Sequence, residues 1–547
     1  MKRLKQSLAF IACFTAFAAI HAVQIRREPG CRIPEYVLPT DRDDPELWMP
    51  SSPYSRTMMA ASPGNYATND IPRTGTHEYL LVLVEFKDLH FIIDDADRLR
   101  EQFNRMFNGK GYSDNTTYTY KKTTFKGATG SVSEYFTAQS FGSYTPTFRI
   151  IGPIQMSQGY AVYGKNYSTD DDSYGVELLI KEVCDSLLSF NINLSDYTRK
   201  GNIDHLSIIY AGRGENYNGS DPNTIWPQAG KIYYNKSGIK DIKYACTCEL
   251  FWDSDTIIDG IGTFCHEFSH TLGLPDVYNT KASDSKTYAP MGYWSIMDFG
   301  SYENEGFSPV GYTAFEKYSL GWMDIEEITE QGVYYLHDIS KKTDIDADIH
   351  SAYRLNTGDD DKFIILENHI KTGWYKYHAS EGLMITAIDY DYNSWKNNTI
   401  NASSHKRYQI LPADNNYERT TNAGDLFPYM DKDSITTKGT PILSSGSSFP
   451  LYSIYNIRKN NNIISFLAAF DMKSSVDKYS AQEIAISIDE EDLLVNAASG
   501  SHVIVYDLAG QTVADTYIAG GSDLRISLPG KGIWIVKCGN KTRKVRN

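Results

Sequence analysis

The sequence predicts an α+β protein in which a mixed β-sheet with packed helices comes first and β-rich domains follow. Up to about residue 325, buried-strand patterns alternate with helical patterns, which is typical of a sheet covered by helices. Beyond that point, short alternating runs are separated by loops rich in Asn, Asp, Gly and Lys, which is typical of antiparallel β-structure.

The predicted elements of the first part follow from apolar periodicity. Continuous apolar runs indicate buried strands, and apolar residues at helical spacing indicate helices, one of them with Ser131 or Ser133 as its N-cap. The strands are predicted at 79–86, 144–151 and 204–212, and the helices at 94–107, 130–136, 176–190 and 257–272. Further along, strands are predicted at 332–336, 363–367, 503–507 and 532–537.

The chain has 547 residues, which is enough for two to four domains, and its 41% hydrophobic and 22% charged residues are typical of globular proteins. The predicted divisions are a signal peptide (1–22), a propeptide or N-terminal arm (23–73), a domain built around the 257–272 helix (74–325), a β-rich accessory domain (326–472) and a C-terminal β-sandwich module (473–547).

The N-terminus is typical of an export signal. Residues 1–5 are basic, residues 8–20 are apolar except for Thr15, and cleavage after Ala22 is expected. A lipid on Cys13 is an alternative, but the apolar run continues past it. We expect no stable membrane span, because the run is short and no later segment is apolar over a sufficient length.

The net charge of −15 argues against nucleic acid as the main partner, because binding to phosphates needs a basic surface. Solubility is a sufficient explanation of the acidic balance.

The sequence HEFSHTLGLPD at 266–276 carries the chemistry. His266 and His270 are four residues apart, so on a helix they lie on one face and can hold one metal ion. Glu267 lies beside that ion, where a catalytic base is needed. Gly273 lets the helix end in a left-handed turn, after which Asp276 can supply a third ligand. The alternative for Asp276 is a hydrogen-bonding role at the helix end.

Two imidazoles, a carboxylate and an open fourth position are typical of catalytic zinc. Such a zinc lowers the pKa of its water to about 7, and Glu267 would take the proton of that water during attack on a carbonyl.

The motif and its continuation to Tyr278 resemble the M6 family of metallopeptidases, of the immune inhibitor A type. Further blocks occur in the family's order: LVEFKD at 83–88, GSVSEYF at 130–136, WSIM at 294–297, SLGW at 319–322 and GDLFP at 424–428. The resemblance implies a secreted zinc endopeptidase made as a zymogen, with a metzincin-like catalytic domain at 74–325. Met297 would then be the methionine beneath the metal, although any methionine is more commonly a core residue. In many metzincins the third ligand is histidine, whereas Asp276 stands here.

The C-terminal module is similar to sorting domains of the type IX secretion system, through VYDLAGQTV at 505–513 and LPGKGIWIV at 528–536. That similarity implies an extracellular or outer-surface location and recognition by the secretion machinery. An ordinary β-sandwich for binding or stability is the alternative.

Two smaller hypotheses concern latency and calcium. Cys31 could ligate the zinc and keep the enzyme latent. The acidic run 170–172 could bind calcium, or could simply favour a helix N-terminus. Two rivals to the peptidase hypothesis stay open: an M6-like zinc hydrolase of a non-protein substrate, and a catalytically inactive binding or adhesion protein.

Overall fold

The computed structural model describes residues 71–165, 173–218, 221, 223–280, 289–342, 349–359, 361–417, 421–436, 452–470, 485–489, 492–496, 501–518, 524–538 and 541–547. The predicted signal peptide, most of the N-terminal arm, Cys31 and the acidic run 170–172 lie outside these residues. The chain forms two compact units, Met1–Phe470 and Asp471–Asn547, and its class is α+β, as predicted.

The α-helices of the described residues are short to medium in length. They are α1 (Ala96–Asn108), α2 (Val132–Gln139), α3 (Tyr160–Gly164), α4 (Ser173–Ser189), α5 (Glu215–Asn218), α6 (Gly262–Leu272), α7 (Ala314–Ser319) and α8 (Tyr392–Lys396). Short 3-10 helices lie at Leu194–Tyr197, Gly292–Trp294, Phe299–Gly306 and Gly373–Tyr375. In the part of the chain that the structure describes, none of the helices is long and apolar enough to cross a bilayer.

The strands up to residue 250 are β1 (Gly75–Glu85), β2 (Thr117–Tyr120), β3 (Thr123–Lys126), β4 (Tyr144–Gln155), β5 (Thr198–Arg199), β6 (Asn202–Arg213), β7 (Gln228–Lys236) and β8 (Ile239–Leu250). The strands from 326 to 470 are β9 (Glu326–Glu327), β10 (Gly332–Leu336), β11 (Ala352–Asp359), β12 (Lys362–His369), β13 (Gly382–Asp389), β14 (Tyr408–Ile410), β15 (Ser453–Asn460) and β16 (Ile463–Ala469). The second unit contains β17 (Ala485–Asp489), β18 (Asp492–Asn496), β19 (His502–Tyr506), β20 (Thr512–Tyr517), β21 (Leu524–Ser527), β22 (Ile533–Cys538) and β23 (Lys541–Arg546).

The main sheet has the order β4-β1-β6-β8-β7, with β5 paired to β6. Its central strands are parallel, and β7 runs antiparallel to β8 at one edge. Strand β1 is buried on both faces: Leu81 and Leu83 contribute to the cluster that contains α6, whereas Leu80 and Val82 contribute to the cluster that contains α4. This two-sided burial explains the continuous apolar run in the sequence.

The ends of two helices follow local rules. Asp95 caps α1 by accepting from the Arg98 backbone N–H. Ser131 caps α2 and forms a reciprocal capping box with Glu134, so of the two candidate caps Ser131 is the right one.

Residues before and after 325 share one apolar core. The cluster that contains Phe264 and Phe268 of α6 continues into Phe363, Met384 and Trp395. Two more sheets build this later part, one with the order β14-β13-β12-β11-β9 and one with the order β10-β16-β15.

The second unit contains two sheets, β17-β18-β21 and β20-β19-β22-β23. Val495 of the first sheet and Val505 and Val536 of the second belong to one buried cluster. Arg543 donates to the backbone carbonyl of Ile486, which links the two sheets at their edges.

In the main sheet and its histidine helix, the structure differs from the expected elements. Helix α6 begins at Gly262 and not at 257, because Ile258 is still in a β-bridge with Leu250. The β7–β8 hairpin is absent from the predicted elements, although it supplies two strands of the main sheet.

Candidate metal centre

Helix α6 is buried along its whole length, and its first turn lies against the 299–306 segment. The approach is so close that a Cβ on Gly262 would lie 1.9 Å from the Ser301 carbonyl oxygen, so only glycine fits there. On the opposite side, Phe264 and Phe268 pack edge-on against Phe148 of β4. The helix is therefore fixed by tertiary packing on both sides.

The end of α6 turns the chain back towards the histidines. Gly273 has φ 106° and ψ 18°, in the left-handed region, as the sequence predicts. Its N–H donates to the carbonyls of Ser269 and His270, and the N–H of Leu274 also donates to Ser269. This turn brings Asp276 back beside His266 and His270.

The three predicted ligands lie together. Asp276 Oδ1 is 3.1 Å from His266 Nε2 and 3.2 Å from His270 Nε2, and all three side chains are buried. Within the described ranges, this is the one group of three or more His, Cys, Asp or Glu side chains whose ligand atoms converge closely enough to hold a metal ion.

The hydrogen bonds of the two imidazoles define which nitrogen faces the centre. His266 Nδ1 donates to the Ile296 carbonyl at 2.8 Å, and His270 Nδ1 donates to the Leu274 carbonyl at 2.7 Å. Because a carbonyl only accepts, each Nδ1 carries a proton, and each ring in its neutral form, the form that binds a metal, has its lone pair at Nε2. Two nitrogen lone pairs and a carboxylate oxygen then face one another, an arrangement that fits a divalent cation. Backbone carbonyls that hold Nδ1 in this way are typical of metal-ligating histidines.

The electrostatics agree with that fit. Burial raises the pKa of Asp276, but the two adjacent imidazoles outweigh it and hold the pKa well below its ordinary value. Burial lowers the pKa of His266, but the carboxylates of Asp276 and Glu267 raise it to about 9. The Asp276 carboxylate therefore stabilises positive charge beside it, although burial lowers the pKa of His270.

Glu267 lies beside His266 in a cleft that contains about 430 Å³ of empty space, including its opening to solvent. The glutamate itself is 4% exposed. The cleft walls are largely aromatic and apolar, with a few polar side chains; the remaining lining residues are Asn216, Trp226, Pro227, Thr263, Tyr278, Asp298, Phe299, Ser301 and Tyr302.

Met297 is fully buried behind the Asp276 segment. Its carbonyl accepts from the Val277 N–H at 2.8 Å, and its own N–H donates to Ser295 Oγ at 3.1 Å. The preceding residue, Ile296, holds His266. The 295–297 segment thus supports both the first histidine and the chain beside Asp276.

One residue at this centre was missing from the sequence prediction. The side chain of Asn398, 122 residues after Asp276, is hydrogen-bonded to both the backbone and the carboxylate of Asp276. Asn398 follows α8 in the β-rich part of the chain, and no local pattern distinguishes it from other loop asparagines.

A buried His–His–Asp donor set beside a glutamate in a cleft is typical of a metal-dependent hydrolase. Comparison with known proteins specifies the class. Residues 67–324 match the model of the immune inhibitor A peptidase M6 catalytic domain, which supports an M6 metallopeptidase in this part of the chain.

Two kinds of relative support the same class. The chain is 28% identical over 301 residues to the pre-pro-metalloprotease PrtV of Vibrio cholerae serotype O1, covering 48% of this chain and 32% of the relative. It is 26% identical over 297 residues to immune inhibitor A of Bacillus thuringiensis subsp. alesti, covering 46% and 41%. The chain thus spans about a third to two fifths of the length of these relatives.

The cysteines that the structure describes are buried free thiols: Cys184, Cys246, Cys248, Cys265 and Cys538. Cys265, next to the first histidine, belongs to the apolar core. The latency hypothesis for Cys31 and the calcium hypothesis for 170–172 stay predictions.

Proposed function

We propose that the protein is a secreted zinc endopeptidase in which His266, His270 and Asp276 hold Zn²⁺ and Glu267 is the catalytic base. The observation that carries the proposal is the convergence of His266 Nε2 and His270 Nε2 on Asp276 Oδ1, with Glu267 in the adjoining cleft. The M6 match over residues 67–324 favours peptides as substrates.

The bound zinc would supply a water of lowered pKa and would polarise the substrate carbonyl. Glu267 would accept the proton of the attacking water and then deliver it to the amine that leaves when the peptide bond breaks. The apolar walls near Trp226 and Phe299 would exclude bulk water and hold a side chain of the substrate.

A metzincin-type arrangement is part of the proposal, with Met297 as the packing methionine. Met297 is buried, and its carbonyl accepts a hydrogen bond from the Val277 N–H. Both observations favour a packing role below the ligands, in which Met297 does not contact substrate. Residues 74–325 would form the catalytic domain, with 326–472 as its β-rich accessory.

Export is proposed from the sequence, through the signal at 1–22. The C-terminal module, 473–547, would address the protein to the secretion machinery and to the outside of the cell. The two sheets and shared apolar cluster of the second unit are compatible with a β-sandwich of that kind.

A casein-cleavage assay on the full chain tests the proposal. Zinc-loaded wild type, the same sample with 1,10-phenanthroline, Glu267→Gln and the exposed control Glu101→Gln are compared, before and after limited trypsin treatment in case a propeptide blocks the cleft. We expect cleavage by wild type and Glu101→Gln, none with the chelator, and a loss of about 10²–10⁴-fold in Glu267→Gln.

The outcomes separate the rivals. Zinc binding with no cleavage of casein or peptides, but with turnover of small amides or esters, would replace the peptidase by a hydrolase of another substrate. Zinc binding with no hydrolysis at all would favour a binding protein. Full activity in Glu267→Gln would refute the mechanism.

A further inference from the structure

We propose that Asn398 is the positioning residue of the metal centre: it fixes the Asp276 carboxylate so that one oxygen faces both histidines. This inference rests on the proposed zinc site and extends it to a residue outside the matched range 67–324. It makes the β-rich part of the first unit necessary for tight metal binding.

The contact between the two residues is reciprocal. The backbone N–H of Asp276 donates to Asn398 Oδ1 at 2.7 Å, and Asn398 Nδ2 donates to Asp276 Oδ2 at 2.7 Å. Two bonds fix both the backbone position and the rotation of the carboxylate. Oδ1 is then directed at the two Nε2 atoms, while the charge on Oδ2 is satisfied by a buried amide.

Asn398 is held in place by its own backbone. It adopts φ 52°, a left-handed conformation that asparagine tolerates better than most residues, and it is 1% exposed. Its N–H donates to the Trp395 carbonyl at the end of α8, and its carbonyl accepts from Thr280 Oγ1 at 2.9 Å. The side chain therefore approaches Asp276 from a fixed direction.

A second asparagine, Asn401, also links the 398–401 segment to the chain beside Asp276. Asn401 Nδ2 donates to the Val277 carbonyl at 2.6 Å and to the Tyr408 carbonyl at 2.8 Å. Its Oδ1 accepts from the N–H groups of Arg407 and Tyr408. Residues 398–401 are thus tied both to the chain around Asp276 and to strand β14.

The expected loss of zinc affinity on removal of the Asn398 amide is estimated from the effects of similar residues at other metal sites. Partners that orient a ligand without touching the metal typically contribute 10–100-fold to metal affinity. Asp276 is fully buried, so water does not replace the amide of Asn398. Without that amide, Asp276 Oδ2 would be left without this hydrogen bond in the protein interior.

Two substitutions remove the amide in different ways. Asn398→Asp has the same shape but places an acceptor oxygen against Asp276 Oδ2. Asn398→Gly removes the side chain and keeps the left-handed backbone accessible. The matched control is Asn368→Asp, because Asn368 is equally buried and donates through Nδ2 to the carbonyls of Leu336 and Asn462, away from the ligands.

The experiment measures zinc affinity of the full chain by competition with a chromophoric chelator, together with the Tm of the metal-free protein and the visible spectrum of its cobalt(II) form. We expect both Asn398 variants to bind zinc about 10–100-fold more weakly than wild type and to show an altered cobalt spectrum, and Asn368→Asp to keep wild-type affinity. For each Asn398 variant, the loss of zinc affinity must be larger than the loss of stability that the lower Tm of its metal-free form indicates.

Wild-type affinity in both Asn398 variants would overturn the positioning role and leave the proposed peptidase intact. An equal loss in Asn368→Asp would also overturn it, because the effect would then be general destabilisation. If wild type itself binds no zinc, the proposed function fails, and this inference fails with it.

Discussion

The indole N–H of Trp294 donates to Asp425 Oδ2 at 2.7 Å, across 131 residues of sequence. Trp294 is 1% exposed, and Asp425 also accepts from the Asn422 N–H. Burial raises the pKa of Asp425 to about 6, although both hydrogen bonds lower it. The segment that contains Met297 is therefore anchored to the loop before Phe427, and the blocks WSIM (294–297) and GDLFP (424–428) are in direct contact.

Removing that indole hydrogen bond should destabilise the fold. We expect Trp294→Phe to lower the free energy of unfolding by about 1–3 kcal/mol, because a buried acceptor loses its donor. A double-mutant cycle with Asp425→Ala, followed by urea unfolding, should give a coupling energy of about 0.5–3 kcal/mol. Strictly additive effects would mean that the two side chains do not interact in solution.

The two serines at the start of α2 should differ in importance. Ser131→Ala removes the capping box and should lower the free energy of unfolding by about 0.5–2 kcal/mol. Ser133→Ala, two residues further along the same helix, should lower it less, because Ser133 is not the cap and alanine favours a helix interior. Equal effects in thermal denaturation would contradict the assignment of Ser131 as the cap.

A side chain at Gly273 should strain the turn that leads to Asp276. Because φ is 106° there, we expect Gly273→Ala to lower the free energy of unfolding by about 1–2 kcal/mol. We also expect it to weaken zinc binding, through displacement of Asp276. Gly332→Ala in β10 is the control, since a Cβ there meets only ordinary contacts. Unchanged stability and zinc content would show that the turn tolerates a side chain.

Glu316 should make stability depend on pH. Burial raises the pKa of its carboxyl from 4.5 to about 7, although hydrogen bonds from Ser295 and Thr313 lower it. A raised folded-state pKa means that this group stabilises the fold fully below pH 4.5 and that the stabilisation is lost as pH rises to about 7.

Glu316→Gln removes this dependence, because the amide oxygen can accept from Thr313 N and the amide N–H can donate to Ser295 Oγ. Between pH 4.5 and 7, the free energy of unfolding of Glu316→Gln should therefore rise by about 1–3 kcal/mol relative to that of wild type. Urea unfolding of the metal-free protein over that range measures the gain, with exposed Glu101→Gln as control. A constant difference between Glu316→Gln and wild type would contradict the raised pKa.

Local patterns predicted much of this molecule because the relevant forces are local. The period of apolar residues located β1, α1, α4 and β6, and the spacing of His266, His270 and Gly273 predicted one helix face and its left-handed end. The β7–β8 hairpin escaped prediction, because its charged and polar residues interrupt the apolar pattern and because it joins the main sheet through the long-range pairing of β8 with β6. Asn398 was not predicted either, because its partner Asp276 lies 122 residues away in the sequence. The local sequence around a loop asparagine does not indicate such a distant partner.

The hydrogen bonds between Asp276 and Asn398 also bear on the order in which the parts of the site form during synthesis. A ribosome makes the histidine helix long before it makes residue 398, and domains begin to fold while the chain is still emerging. A nascent chain that ends before Asn398 contains both histidines and Asp276 but lacks the amide that is hydrogen-bonded to the carboxylate. On the role proposed for Asn398, the metal site would be complete only after residues 398–401 have been synthesised and have docked against the chain around Asp276.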